Sequence, residues 1–323
     1  LLTTEAVSAT MSIKLKKIAD NLTDEEHSLI AEEIRQGNID GISLSYLGGA
    51  FGPVWPEDKE YNLGFLKHYS DIRALEVFLP SLTSIDAIAE YVSGLEFLSL
   101  GEFSSPAVSL KPLQNLQKLS SLSLVRNKKD IGSITCLPGL RDLSLTGYQS
   151  KQVEHVAALR GLEKLYLGFG TFESLDAVKG LSRLKSLEIC WVKKLRDLRS
   201  LQRLKSLECL SLSTLKQVAS MPDLSELGQL KSLVMDTMNG LSSLAGIKGS
   251  SIAELAMINS KIDPLCFHDL SHGMPSLQRL IVFLASQRST TEALKYFDKQ
   301  MVCASINDFK FYKGRTSRVE YLS

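Results

Sequence analysis

Leu-x-x-Leu-x-Leu recurs along this chain about every 22 residues, and a fixed period of that length permits few architectures. Its first position is unambiguous at Leu95, Leu119, Leu140, Leu162, Leu184, Leu207 and Leu230. Ile39, Ile72, Ile252 and Leu277 open copies with small substitutions, and Ile306 opens a candidate last copy through Phe311. From Leu95 to Ile252 the steps are 24, 21, 22, 22, 23, 23 and 22 residues. Self-similarity at such a period predicts a solenoid, in which each unit leans only on its neighbours. That expectation overrides the two domains that 323 residues would otherwise suggest.

Each repeat carries two periodicities. Around Leu187 and Ile189 apolar and polar residues alternate, the mark of a strand with one buried face. Before it, Phe172, Leu175, Val178, Leu181 and Leu184 fall at every third position. Period three fits a 3₁₀ or extended return path better than an α-helix of period 3.6. Leu195 to Leu207 and Val218 to Leu230 repeat the pattern. The predicted fold class is α/β: a curved parallel sheet on the concave side, with 3₁₀ or short helical segments on the convex side.

The motif resembles that of leucine-rich repeat proteins and is similar to the short 22-residue class of internalin-like bacterial proteins. The resemblance covers about residues 39 to 312. One departure stands out. The family places Asn or Cys three residues after the last Leu, whereas here only Asn127 does so. Phe103, Tyr148, Gly170, Val192, Leu215 and Met238 occupy the equivalent sites, so these turns must satisfy their backbone groups another way.

An end turn would expose its core, so caps are expected. Thr23-Asp24-Glu25-Glu26 reads as a capping box before an amphipathic helix that ends at Gly37. The expected organisation is a leader at 1–12 and a helical N-terminal cap at 13–38. The solenoid follows at 39–288, with a long irregular loop at 48–71, and then a C-terminal cap and tail at 289–323. Trp55 in that loop packs onto the cap or serves a functional loop. A helix from Thr291 to about Val302 and a final strand near Phe309 and Phe311 would close the far edge. The tail after Lys313 reads as loose.

Composition narrows the function. Thirty-seven basic and 36 acidic residues leave a net charge of +1, no footprint for nucleic acid or an acidic membrane. No apolar run approaches the roughly 20 residues of a membrane helix. The start lacks the pattern of a signal peptide. Five scattered cysteines read as reduced thiols, and with the start they lead to a cytoplasmic expectation. No phosphate loop, nucleophile elbow or zinc-protease motif is present. Cys266, His268, Asp269 and His272 are the one cluster of ligand-type residues, and they read as a convex loop of a longer repeat. His27, His68 and His155 read as isolated. No enzyme, cofactor, metal or small-molecule substrate is expected.

The binding surface follows from strand alternation: motif positions 4 and 6 face the core, so 3, 5 and 7 face outward. Position 5 carries Ser99, Ser123 and Ser144, a smooth floor, and then Tyr166 and Glu188. Near the middle Tyr166, Phe169 and Trp191 gather beside Arg126, Asp142, Lys164 and Glu188. Aromatic side chains with a charged rim are what a protein-binding groove needs. The competing reading turns Phe169 and Trp191 back into the core. A second apolar patch, Val234, Ile258, Ile281 and Phe283, reads as covered by the C-terminal cap. The expected function is a non-enzymatic module that binds a folded protein partner. The resemblance implies a bacterial immunity protein or an intracellular scaffold, with a secreted host-directed effector or surface protein as the alternative.

Overall fold

The computed structural model describes residues 12–45, 55, 59–310 and 318–322. Of the expected leader only Ser12 is described, and residues 48–54 and 56–58 of the expected loop lie outside the described residues, as do Phe311 and Lys313.

Among the described residues thirteen strands form one parallel sheet. They are β1 (Ser12–Lys17), β2 (Gly41–Ser45), β3 (Ala74–Phe78), β4 (Phe97–Leu100), β5 (Ser121–Val125), β6 (Asp142–Thr146) and β7 (Lys164–Gly168). The run continues with β8 (Ser186–Cys190), β9 (Cys209–Ser213), β10 (Ser232–Asp236), β11 (Glu254–Ser260), β12 (Arg279–Leu284) and β13 (Arg318–Leu322). From β1 to β12 spatial order equals chain order, as one-dimensional stacking requires, while β13 pairs with the free side of β1. The fold is a leucine-rich repeat solenoid.

The ladder keeps one register over the repeats. Leu143, Leu165, Leu187, Leu210 and Leu233 are consecutive partners, all at most 2% exposed. Each such side chain contributes about 1.5–3 kcal/mol on burial. The predicted period-three return paths form 3₁₀ segments at Lys111–Asn115, Ile131–Cys136, Asp176–Val178, Arg199–Arg203 and Ala245–Ile247. Between β9 and β10 the same leucine spacing runs without helix. Longer repeats hold α-helix, α2 (Asp86–Tyr91) between β3 and β4 and α4 (Cys266–Gly273) between β11 and β12, and one turn of helix, α3 (Ser150–Val153), lies between β6 and β7.

At the N-terminal end the capping box forms on α1 (Asp24–Arg35). Glu26 N–H donates to Thr23 Oγ1 at 3.3 Å, and Thr23 N–H donates to the Glu26 carboxylate at 2.7 Å. The segment before α1 is a strand, not part of a helical cap, because Leu15 alternates with polar neighbours and fills the core at β2. Trp55 is 2% exposed, donates from Nε1 to Ile18 O at 2.7 Å and packs on Tyr61 and Phe65. It belongs to the cap core. His27 and His68 are not isolated: their rings stack 4.9 Å apart, and His27 Nδ1 lies 2.7 Å from Tyr69 Oη. The 42-residue separation of His27 from Tyr69 hides this contact in the sequence.

The C-terminal end departs further from expectation. A short helix, α5 (Gln287–Leu294), packs on β12. Val302 then bridges to Leu280 at the outer edge of β12. Ile306–Asp308 is a 3₁₀ turn capped by Ser305, not a last repeat, and Phe309 is not in a strand. Instead Phe309 is fully buried with Val234, Ala256 and Ile281. Buried Glu254 anchors this segment: it accepts the main-chain N–H of Lys310 and pairs with Arg279 at 3.5 Å. The expected second apolar patch is therefore covered at Val234 and Ile281, half-buried at Ile258 and open at Phe283. Of the tail, Arg318–Leu322 forms β13 rather than a loose end.

Candidate functional site

With β10 to β12 covered, the open floor of the sheet runs over the middle strands. Its rows follow from the ladder. One runs Asp142, Lys164, Ser186, Cys209; the next runs Ser144, Tyr166, Glu188, Ser211; the third runs Thr146, Gly168, Cys190, Ser213. Neighbours in such rows stand about 4.8 Å apart on one face, so Asp142 and Lys164 adjoin, as do Tyr166 and Glu188.

The turn after each strand settles where Phe169 and Trp191 point. Arg126, Phe169, Trp191, Thr214, Thr237 and Asn259 all lie at φ between 52° and 55°, and Gly147 takes the equivalent place at 83°. This left-handed residue aims its N–H along the stack. Arg126 N–H donates to Thr146 O, Gly147 to Gly168 O, Phe169 to Cys190 O, Trp191 to Ser213 O and Thr214 to Asp236 O, at 2.8–3.0 Å. A ladder of main-chain bonds thus joins successive turns. Asn127 supplies a side-chain solution once: its Nδ2 donates to Gly101 O at 2.8 Å and its Oδ1 accepts Phe103 N–H at 3.1 Å.

The same conformation throws the side chain outward. Phe169 and Trp191 are each 52% exposed and stack on one another, centroids 6.0 Å apart and planes 14° apart. They do not enter the core. Arg126 lies on the same rim and pairs with Glu102 at 3.0 Å, both half-exposed. Left-handed backbone costs a bulky residue about 1–2 kcal/mol, yet the two most exposed aromatics among the described residues stand there.

Below the rim, Tyr166 folds along its own strand. A Cβ on Gly168 would stand 2.3 Å from Tyr166 Oη, so the glycine is the space in which the ring lies. Burial pushes the Tyr166 phenol up to about 12. Burial likewise raises the Glu188 carboxyl above the usual carboxylate range and the Cys190 thiol above its own. Among the described residues no ion pair at Glu188 offsets that cost. The floor thus offers a partly desolvated acid next to a fixed aromatic ring.

The sequence reading missed Gly168 and Cys190, and also a cleft beside Trp191 lined by Lys193, Lys194, Arg196 and Lys216. Lys193 and Lys216 occupy the same place in successive repeats, 23 residues apart, which was the available signal. Elsewhere, Cys266, His268, Asp269 and His272 sit on α4, on the convex side. Among the described residues no three His, Cys, Asp or Glu side chains converge as metal ligands. Among the same residues no helix is long and apolar enough to cross a membrane.

No protein-family model and no curated protein matches the sequence. Among solved structures the chain is similar to an internalin (inlF) from Listeria monocytogenes str. 4b F2365, with a TM-score of 0.56 at 18% identity. That match covers 88% of this chain and 84% of the other. An internalin C2 (inlC2) from the same strain also matches at 18% identity and a TM-score of 0.41, over 64% of this chain and 78% of the other. At such identity the likeness to the first is one of fold: an internalin-like leucine-rich repeat solenoid.

Proposed function

We propose that this chain is a non-enzymatic interaction module that holds a folded protein against the open part of its concave face. Tyr166, Phe169, Glu188 and Trp191 form the contact centre, with Arg126, Asp142 and Lys164 on its margin. The observation that carries this reading is the exposed Phe169–Trp191 stack, held outward by left-handed backbone on a rigid frame. Exposed aromatics on a fixed scaffold lose little side-chain entropy on binding and are the usual anchors of interfaces. The half-buried serines Ser123 and Ser144 form a floor that lets a partner's backbone approach closely, whereas Ser99 beside them is buried.

Affinity purification of the tagged chain from its own cells, with mass spectrometry, would nominate partners. Binding of each purified partner to the wild type and to Trp191→Ala then tests the site. A loss of about 2 kcal/mol or more, roughly 30-fold in Kd, with an unchanged melt supports the concave site. A partner indifferent to both Trp191→Ala and Tyr166→Ala would remove it. Within this reading an immunity role is the finer version suggested by the sequence resemblance: the partner would be toxic when expressed alone and harmless when co-expressed with this chain. A harmless partner would favour the scaffold version, and recovery of this chain outside the cell would favour the host-directed one.

A further inference from the structure

The cleft beside Trp191 has a volume of about 490 Å³ and lies between the turns that follow β8 and β9, with Glu173 reaching in from the turn after β7. Volumes of this order suit a bound segment of a few side chains. Its lining is strongly one-signed. Arg196 is neutralised by Glu173 at 2.5 Å. Lys193, Lys194 and Lys216 enter no ion pair among the described residues. Three lysines without an ion pair among the described residues therefore line one cavity in a chain whose net charge is only +1. Such a local concentration of positive charge attracts and orients an anionic partner group. Trp191 forms the apolar wall of the cleft, and Thr214 adds a hydroxyl.

We infer that this cleft takes an acidic protein segment: two or more neighbouring Asp or Glu side chains beside an apolar residue that rests on Trp191. The inference rests on the concave-face reading and extends it, because Trp191 belongs to both the aromatic stack and the cleft. A continuous polyanion such as nucleic acid fits less well. The neighbouring strands carry Glu188 on β8 and Asp236 on β10, and a phosphate backbone leaving the cleft would meet these acids. A short acidic loop places its charge in the cleft alone.

The test uses the two tryptophans of the full chain. Trp55 is buried and its indole N–H is bonded to Ile18 O, whereas Trp191 is half-exposed. Two indole signals of the ¹⁵N-labelled protein are therefore expected, assigned with Trp191→Phe. The probe is a synthetic peptide of alternating Asp-Glu pairs and leucine, compared with its Asn-Gln counterpart, inorganic phosphate and a short oligothymidylate. The Trp191 signal should move with the acidic peptide while that of Trp55 stays. The apparent affinity should fall roughly tenfold or more between low and physiological salt, and by a similar factor in Lys193→Glu/Lys194→Glu/Lys216→Glu. An unmoved Trp191 signal, an equal response in the triple variant, or a stronger response to the oligothymidylate would overturn the inference. A partner found by purification that needs Trp191 but tolerates the triple variant would overturn it too, while leaving the concave-face reading intact.

Discussion

At the residue scale, the repeat imposes a left-handed turn after most strands, and the chain fills it twice with a large aromatic. Stability alone would favour glycine there, since glycine enters this region without steric cost. Trp191→Gly should therefore match or exceed the wild type in thermal stability while losing partner binding; a clear drop in Tm would show the indole to be structural. Two titrating groups make further predictions. Burial raises the Glu188 carboxyl, so the fold prefers its neutral form. The resulting destabilisation is present above its folded pKa and disappears as pH falls below the unfolded value. Glu188→Gln should accordingly raise Tm at pH 7, with the gain vanishing near pH 4 in a series of thermal melts. His27 has the opposite consequence. Burial, followed by the neighbouring His68, lowers its pKa. The stability it contributes is complete above its unfolded pKa of about 6.5 and is lost as pH falls through the folded value. The protection factors of α1, exchange rates corrected for their intrinsic pH dependence, should fall between about pH 7 and 5, and His27→Gln should flatten that dependence.

At the element scale, each strand and its return path form a unit too small to bury its own leucines. Stability resides in the contact between turns. Leu187, 1% exposed between Leu165 and Leu210, samples that contact directly. Leu187→Ala should cost about 2–5 kcal/mol in denaturant melts; a cost below 1 kcal/mol would contradict the register. Asn127 tests the other device. Its amide joins the turn after β4 to its own, and its carbonyl accepts the Tyr148 hydroxyl at 2.8 Å. Asn127→Ala strands buried groups at Gly101 and Phe103 and should cost about 1–3 kcal/mol for each. The 3₁₀ segments show why period three was readable: a side chain at every third position meets one line of the core, whatever the backbone does between.

At the scale of the whole molecule, the two ends differ in kind. The N-terminal end closes with β1, α1 and a packed aromatic cluster around Trp55. The C-terminal end turns back over its own concave face and covers β10 to β12 with Phe309. The open floor is thereby confined to the middle of the solenoid, where the aromatic stack stands. Phe309→Ala should uncover Val234 and Ile281, seen as increased binding of an apolar dye and faster exchange in β11 and β12.

The sequence by itself determined the repeat, its register, the alternation that puts Tyr166 and Glu188 on the open face and Leu187 in the core, and the capping box at Thr23. All of these depend on neighbours in the chain or on one period, and a local pattern carries that information. Only the tertiary structure decided that Phe169 and Trp191 stack outward, that His27 meets Tyr69, that Phe309 buries the last concave strands and that the tail pairs with β1. Those outcomes depend on backbone dihedrals at single turns and on contacts between distant segments. A leucine period constrains neither, because any side chain is compatible with a turn residue that points to solvent, and any apolar side chain can fill a covered face.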